Sequence, residues 1–216
     1  MLCQTAIVYS RQVGDRVLSF GHEGVLYLGS FVMYDRETQS LWIHTTGEAV
    51  KGELKGKVLA FIPSTITSWK RWKAMHPKTT VLTGQRGSSF MGRFGLLDAP
   101  KDYGLSVGQS AAPKLYPVEV LATKRVVNDT YDGKPIVVIY DPAGGNARAY
   151  LRGQRTFVWK DGTLVDDKGA AWDALRAMPA DGKGARLQEI PATMWLVKRW
   201  KGFYPRGPVY GTATAK

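Results

Sequence analysis

Three histidines, His22, His44 and His76, all fall within the first 76 of 216 residues. The single cysteine, Cys3, and Glu23, Met33, Asp35 and Glu48 lie in the same stretch. Imidazole with carboxylate suits zinc or another borderline divalent metal, which would polarise a water for hydrolysis. Imidazole with the Cys3 thiolate and the Met33 thioether suits copper and redox chemistry instead. The expected metal ligands are therefore His22, His44, Cys3 and Met33, with His44, Asp35 and Glu48 as catalytic groups. No helical HExxH spacing supports either set, so the fold must bring a turn residue and a strand residue together.

Each of these residues also has a plainer use. His76 precedes Pro77, where it would end a helix and pack its ring on Trp72 or Trp69. His22 stands in a turn flanked by Gly21 and Gly24. Asp35 marks a hairpin tip, where turn formation is the commoner task, and Met33 and Cys3 pack readily into cores.

The tetrapeptide Lys-Arg-Trp-Lys occurs at residues 70–73 and again at 198–201. Cations beside an indole can hold phosphate, carboxylate or a stacked ring, which makes Lys70, Arg71, Lys198 and Arg199 candidate ligand-binding residues. The simpler expectation is the solvent face of an amphipathic helix.

That tetrapeptide belongs to a longer repeat. Residues 54–77 read LKGKVLAFIPSTITSWKRWKAMHP and residues 182–205 read GKGARLQEIPATMWLVKRWKGFYP, aligned without a gap at a spacing of 128. Upstream, Met33-Tyr34-Asp35-Arg36 through Trp42 corresponds loosely to Leu164-Val165-Asp166-Asp167 through Trp172. Such self-similarity fixes the architecture before any local reading. It divides the chain into a first copy (1–82), a connecting loop (83–113) and a second, degenerate copy (114–216).

The elements that must position these residues are mostly strands. Short β-branched and aromatic runs separated by turns fill residues 6–62. Asp35 to Thr38 forms a hairpin tip, which sets Trp42 opposite Met33 and His44 opposite Phe31. Trp69, Trp72 and His76 make one stripe of a short helix, capped by Thr67 or Ser68 and stopped by Pro77. Asp132-Gly133 between apolar runs predicts a second hairpin. Asn128-Asp129-Thr130 fits a glycosylation acceptor but abuts a strand. Gly108-Gln109-Ser110-Ala111 lacks the flanks of a nucleophile elbow.

Composition sets broad bounds. With 44% hydrophobic and 11% aromatic residues, the chain can form a cored globular fold. Its net charge of +12 favours anionic partners. No basic block of the kind found in nucleic-acid-binding arms occurs, so nucleic acid is not the expected partner. There is no membrane-spanning run and no secretion signal in the chain as it stands, and the sequence does not name the compartment.

The segments CQTAIVYSR, FGHEGVLYLGSFVMYDRETQSLW, GEAVKGELKG and TSWKRWKAMHPKTTVL resemble the bacterial family known as domain of unknown function 3179. Residues 3–82 match closely. The second copy, with YPVEVL and VNDTYDGKPIVV, matches more loosely. The resemblance implies a Cys-Pro-x-Cys motif before the hairpin. Only Cys3 remains of it in the first copy, and Asp141-Pro142-Ala143-Gly144 stands in its place in the second. The first copy therefore reads as truncated at its start, with an edge that would recruit a second chain as a homodimer.

The expected fold is α+β, mostly antiparallel, with two copies about a pseudo-twofold axis and a short Trp-bearing helix in each. The expected function is metal-assisted hydrolysis of a small ester, lactone or similar substrate. The alternatives are a copper or redox protein and a non-catalytic binder of an anionic polymer or ligand. The expected partner is a small anionic or carbonyl-containing molecule.

Overall fold

The computed structural model describes residues 5–81, 100–109 and 113–212; Cys3 and Ser110 lie outside them. Over the described residues the fold is antiparallel β with three short helices, an α+β arrangement. No helix among them is long and apolar enough to cross a membrane.

The first copy opens with β1 (Val8–Tyr9) and the small hairpin β2 (Gln12–Val13) and β3 (Arg16–Val17). A four-stranded meander follows: β4 (Phe20–Tyr27), β5 (Ser30–Asp35), β6 (Leu41–Ile43) and β7 (Ala49–Lys51). β8 (Phe61–Ile62) returns to pair with β1, Tyr9 opposite Phe61, and α1 (Trp69–Met75) closes the copy. Met33 lies opposite Trp42, and the His44 N–H donates to the Phe31 carbonyl at 3.2 Å, the register expected from sequence.

One local expectation is corrected. Gly21 to Gly24 do not turn the chain; they lie inside β4, where His22 pairs with Met33. The register shifts between His22 and Leu26, with Gly24 at φ +86°, so a bulge absorbs the extra residues. Gly21 is required for space, because the Tyr34 ring occupies the place of a Cβ.

The second copy begins with β9 (Tyr103–Val107), β10 (Lys114–Pro117) and α2 (Val118–Lys124). β11 (Val126–Tyr131), β12 (Lys134–Asp141) and β13 (Asn146–Leu151) come next. A second meander comprises β14 (Phe157–Lys160), β15 (Thr163–Asp166), β16 (Ala171–Asp173) and β17 (Met178–Pro179). The chain ends through β18 (Gln188–Glu189), β19 (Ala192–Leu196) and α3 (Val197–Phe203).

The meander β14-β15-β16-β17 repeats the order of β4-β5-β6-β7. Tyr150 opposite Glu189 in β13 and β18 repeats Tyr9 opposite Phe61. In the second copy β11 and β12 widen that pair to four strands, joined at Asp132-Gly133 (φ +49° and +70°), as a tight hairpin requires. The Asn128 side chain both donates to and accepts from the Phe157 backbone, so the glycosylation reading fails: its amide is already committed.

Within the segment expected to be a connection lies β9, all five of its residues buried, between β10 and β19. A strand covered on both faces has no polar alternation to reveal it. The main core gathers around it: Tyr103, Leu105, Val107, Tyr116, Leu121 and Val138. Val137, Ile139 and Tyr150, on the other face of β12 and β13, pack against Phe157, Leu164 and Trp172 of the second meander. Leu18, Trp42, Ala49, Leu54 and Leu59 form a smaller core in the first copy.

Candidate functional site

His22 is exposed on β4, and its Nδ1 accepts the Gly24 N–H at 2.9 Å. His44 is buried and stacks on Phe31 at 4.1 Å, while the same Phe31 ring lies 5.2 Å from His22. A phenyl ring thus contacts both imidazoles. The His44 Nδ1 has no partner, and burial pushes its pKa down to about 4, so the ring is neutral at pH 7. Met33 packs on the first-copy core, and Glu48 is exposed beside a bridge to Val58. Among the described residues no three His, Cys, Asp or Glu side chains gather to hold a metal. Cys3, the remaining expected ligand, lies outside the described residues.

Asp35 is occupied within its own loop. It accepts the Thr38 N–H and hydroxyl, the Ser40 N–H and, at 2.8 Å, the Trp42 Nε1–H. Burial pushes its pKa up, but these hydrogen bonds outweigh it and hold the carboxyl below the usual range. Asp166 repeats the device, accepting from the Lys168 and Ala170 N–H groups and from Trp172 Nε1 at 3.0 Å. A carboxylate so engaged organises a loop.

The two Lys-Arg-Trp-Lys helices differ in what surrounds them. The Ser68 hydroxyl caps α1, the His76 N–H closes its end on the Trp72 carbonyl, and the His76 ring stacks on Trp72 at 4.0 Å. No α1 residue is buried, and Trp69 is 51% exposed. In α3 Trp200 is fully buried and donates to Ser106 Oγ at 2.8 Å. Lys70 and Lys198 face solvent and Arg199 is half-buried. Arg71 instead reaches into the second copy, where Nε and Nη2 bond the two Asp141 oxygens at 2.9 and 3.1 Å.

That contact forms the rim of a cavity of about 190 Å³ lined by Arg71, Asp141, Asn146, Arg148, Tyr150 and Trp159. Arg148 projects from β13 between Ala147 and Ala149, half-buried. It donates to the Leu175 carbonyl at 3.2 Å and lies 3.8 Å from the Met75 sulfur. Among the described residues no carboxylate lies within 4.0 Å of it. Burial pushes the Tyr150 phenol up to about 12 against the pull of Arg148. Burial likewise raises Glu189, opposite Tyr150, against Arg148 and Arg186.

Gly144 lies beside two of the lining residues, Asp141 and Asn146. A Cβ there would meet Asn146 Nδ2, Asp141 Oδ2 and Thr67 Oγ1, each at 2.7 Å, so three polar groups converge on its bare Cα. The Thr67 hydroxyl is buried without a partner. Sequence singles out Arg71 but not Arg148 or Asn146, and gives Thr67 only as a helix cap. A lone Arg between two alanines in an apolar strand is the signal that was present.

Residues 1–92 and 99–216 match the family described as protein of unknown function, DUF3179, and the chain belongs to that family. The two matched stretches agree with two copies of the domain. No curated protein and no solved structure matches the chain.

Proposed function

We propose that this protein binds a small carboxylate-bearing ligand in the cavity between α1 of the first copy and β12–β13 of the second. The observation that carries the reading is Arg148: a half-buried guanidinium on a cavity wall, with a carbonyl and a thioether beside it and, among the described residues, no carboxylate within 4.0 Å. A guanidinium fork matches a carboxylate with two parallel hydrogen bonds. Asn146 supplies a further polar contact, and Ile139, Trp159 and Leu175 supply apolar wall. Arg71 neutralises Asp141, so the rim does not repel an incoming anion.

The cavity needs both copies, and we take these to be related by a pseudo-twofold axis. Each copy donates hydrogen bonds to the other. Arg71 reaches Asp141, while from the second copy Thr193 Oγ1 donates to the Ala6 carbonyl at 3.2 Å and accompanies Thr5 Oγ1 donating to the Met194 carbonyl at 2.6 Å. Hydrolysis at the histidines has less support. His22 and His44 share Phe31 as a neighbour, and Asp35 has no free role as a base.

Calorimetric titration with acetate, benzoate and benzamide tests the reading. Benzoate is expected to bind and benzamide to fail, with Arg148→Gln weakening benzoate by about tenfold or more, the equivalent of ~1.4 kcal/mol. Lys70→Gln is expected to change nothing. Equal binding of acid and amide, or an Arg148→Gln protein that binds as tightly as the parent, would overturn it.

A further inference from the structure

A second cavity, about 290 Å³, opens where the turn after β13 meets the segment before β18. Its lining includes Arg152, Arg155, Lys183 and Arg186 and no acidic residue. We infer that this groove binds a small, multiply charged oxyanion of the phosphate-ester or pyrophosphate class.

Two of the cations are held in place, which argues for a shaped site, while Lys183 and Arg186 are exposed at its edge. Arg152 is a fixed charge: its Nε donates to the Ile136 carbonyl at 3.1 Å and its Nη1 to the Arg155 carbonyl at 2.6 Å. Arg155 lies over the Trp172 ring, 5.5 Å from its centre. Its carboxylate neighbour, Asp166, is 3.8 Å away and already accepts from Lys168, Ala170 and the Trp172 indole. Among the described residues no carboxylate lies within 4.0 Å of Lys183 or Arg186. Asp181 is spent on the Lys183 backbone N–H at 2.8 Å.

Like charges around one groove repel, and a polyvalent anion relieves all of them together. A phosphate or pyrophosphate carries more oxygens and more charge than one carboxylate, so it can engage more of these cations together.

The first copy shows that the fold does not impose this charge. At the repeat spacing, Val58 stands where the second copy has Arg186, and Glu53 where it has Asp181. Glu53 pairs with Arg16 at 2.8 Å. Lys183 and Asp181 have counterparts in Lys55 and Glu53, so Arg186 is the charge that the second copy adds.

The test is calorimetric titration with inorganic pyrophosphate and inorganic phosphate in low salt, about 20 mM, where screening is weak. Pyrophosphate is expected to bind more tightly than phosphate. Lys183→Gln with Arg186→Gln should weaken pyrophosphate by about tenfold or more. The matched control, Lys55→Gln with Lys57→Gln in the first copy, removes the same charge and should change affinity less than about twofold, within general field effects. Arg148→Gln should leave pyrophosphate binding intact, which separates this site from the carboxylate cavity. Equal weakening by both double variants would reduce the groove to net charge alone and overturn the inference. So would a parent protein that shows no pyrophosphate binding.

Discussion

The helices α1 and α3 carry the same Lys-Arg-Trp-Lys core, end on the same bond from the cap N–H to the tryptophan carbonyl at 2.8 Å, and have opposite fates. Trp200 is sealed among Leu115 and Trp195 and bonded to Ser106. Trp72 stays half-buried, its indole donating to Thr79 at 3.0 Å. Local sequence makes the helix in both places. Burial comes from β9 and β10, which pack beside α3 and have no counterpart beside α1 among the described residues. The less buried helix is the one whose arginine reaches across to the cavity.

The largest effect should separate these two tryptophans. Trp200→Ala is expected to cost about 3–5 kcal/mol in chemical denaturation, the range for emptying a sealed aromatic site. Trp72→Ala should cost about 1 kcal/mol, as at a partly exposed position. Equal losses would mean that α1 is covered in solution by something outside the described residues.

A second pair of variants should behave alike, because here the copies agree. Asp35→Ala and Asp166→Ala each strand a buried indole N–H and loop amides, at about 3–4 kcal/mol. A protein that lost activity or binding on Asp35→Ala without losing stability would restore that residue to a chemical role.

His44 belongs to the first copy alone and gives a pH signature. Its native pKa, about 4, is below the ordinary histidine value of 6.5. Between these values the unfolded chain holds a proton that the folded chain does not, so stability falls as pH drops from 6.5 toward 4. The loss should reach on the order of 2–3 kcal/mol near the bottom of that window. His44→Phe should flatten that part of the profile, and an unchanged slope would contradict the burial argument. Asp35 and Asp166, held below their ordinary range, act at still lower pH.

A smaller effect than these concerns the bridge between copies, comparable with Trp72→Ala. Asp141→Asn should cost about 1–2 kcal/mol, as for one partly buried ion pair. It should also weaken binding less than Arg148→Gln does.

Much of the frame was legible in sequence because it rests on local rules. The 128-residue spacing placed both helices, Ser68 and Pro77 bounded the first, and Asp132-Gly133 made its hairpin. Met33 faced Trp42 as alternation requires. β9 was hidden because a strand buried on both faces has no period of two, and its neighbours are rich in Gly, Ser and Lys. The glycines at 21 and 24 read as a turn, whereas tertiary pairing with β5 drew them into a bulged strand.

The candidate site was less legible for a related reason. Histidines and acids draw attention as chemistry, but Asp35 is used up by its own loop and His44 by a stacked ring. Arg148 and Arg71 come from elements far apart in sequence, and only the packing of one copy on the other brings them to one cavity.

The most direct measurement is a two-dimensional amide and indole NMR titration of the isotopically labelled protein with benzoate. Saturable shifts centred on Asn146, Arg148, Tyr150 and the Trp159 indole are the predicted result. No shifts there, or shifts centred on His22, His44 and Phe31, would contradict the account and return the site to the histidines.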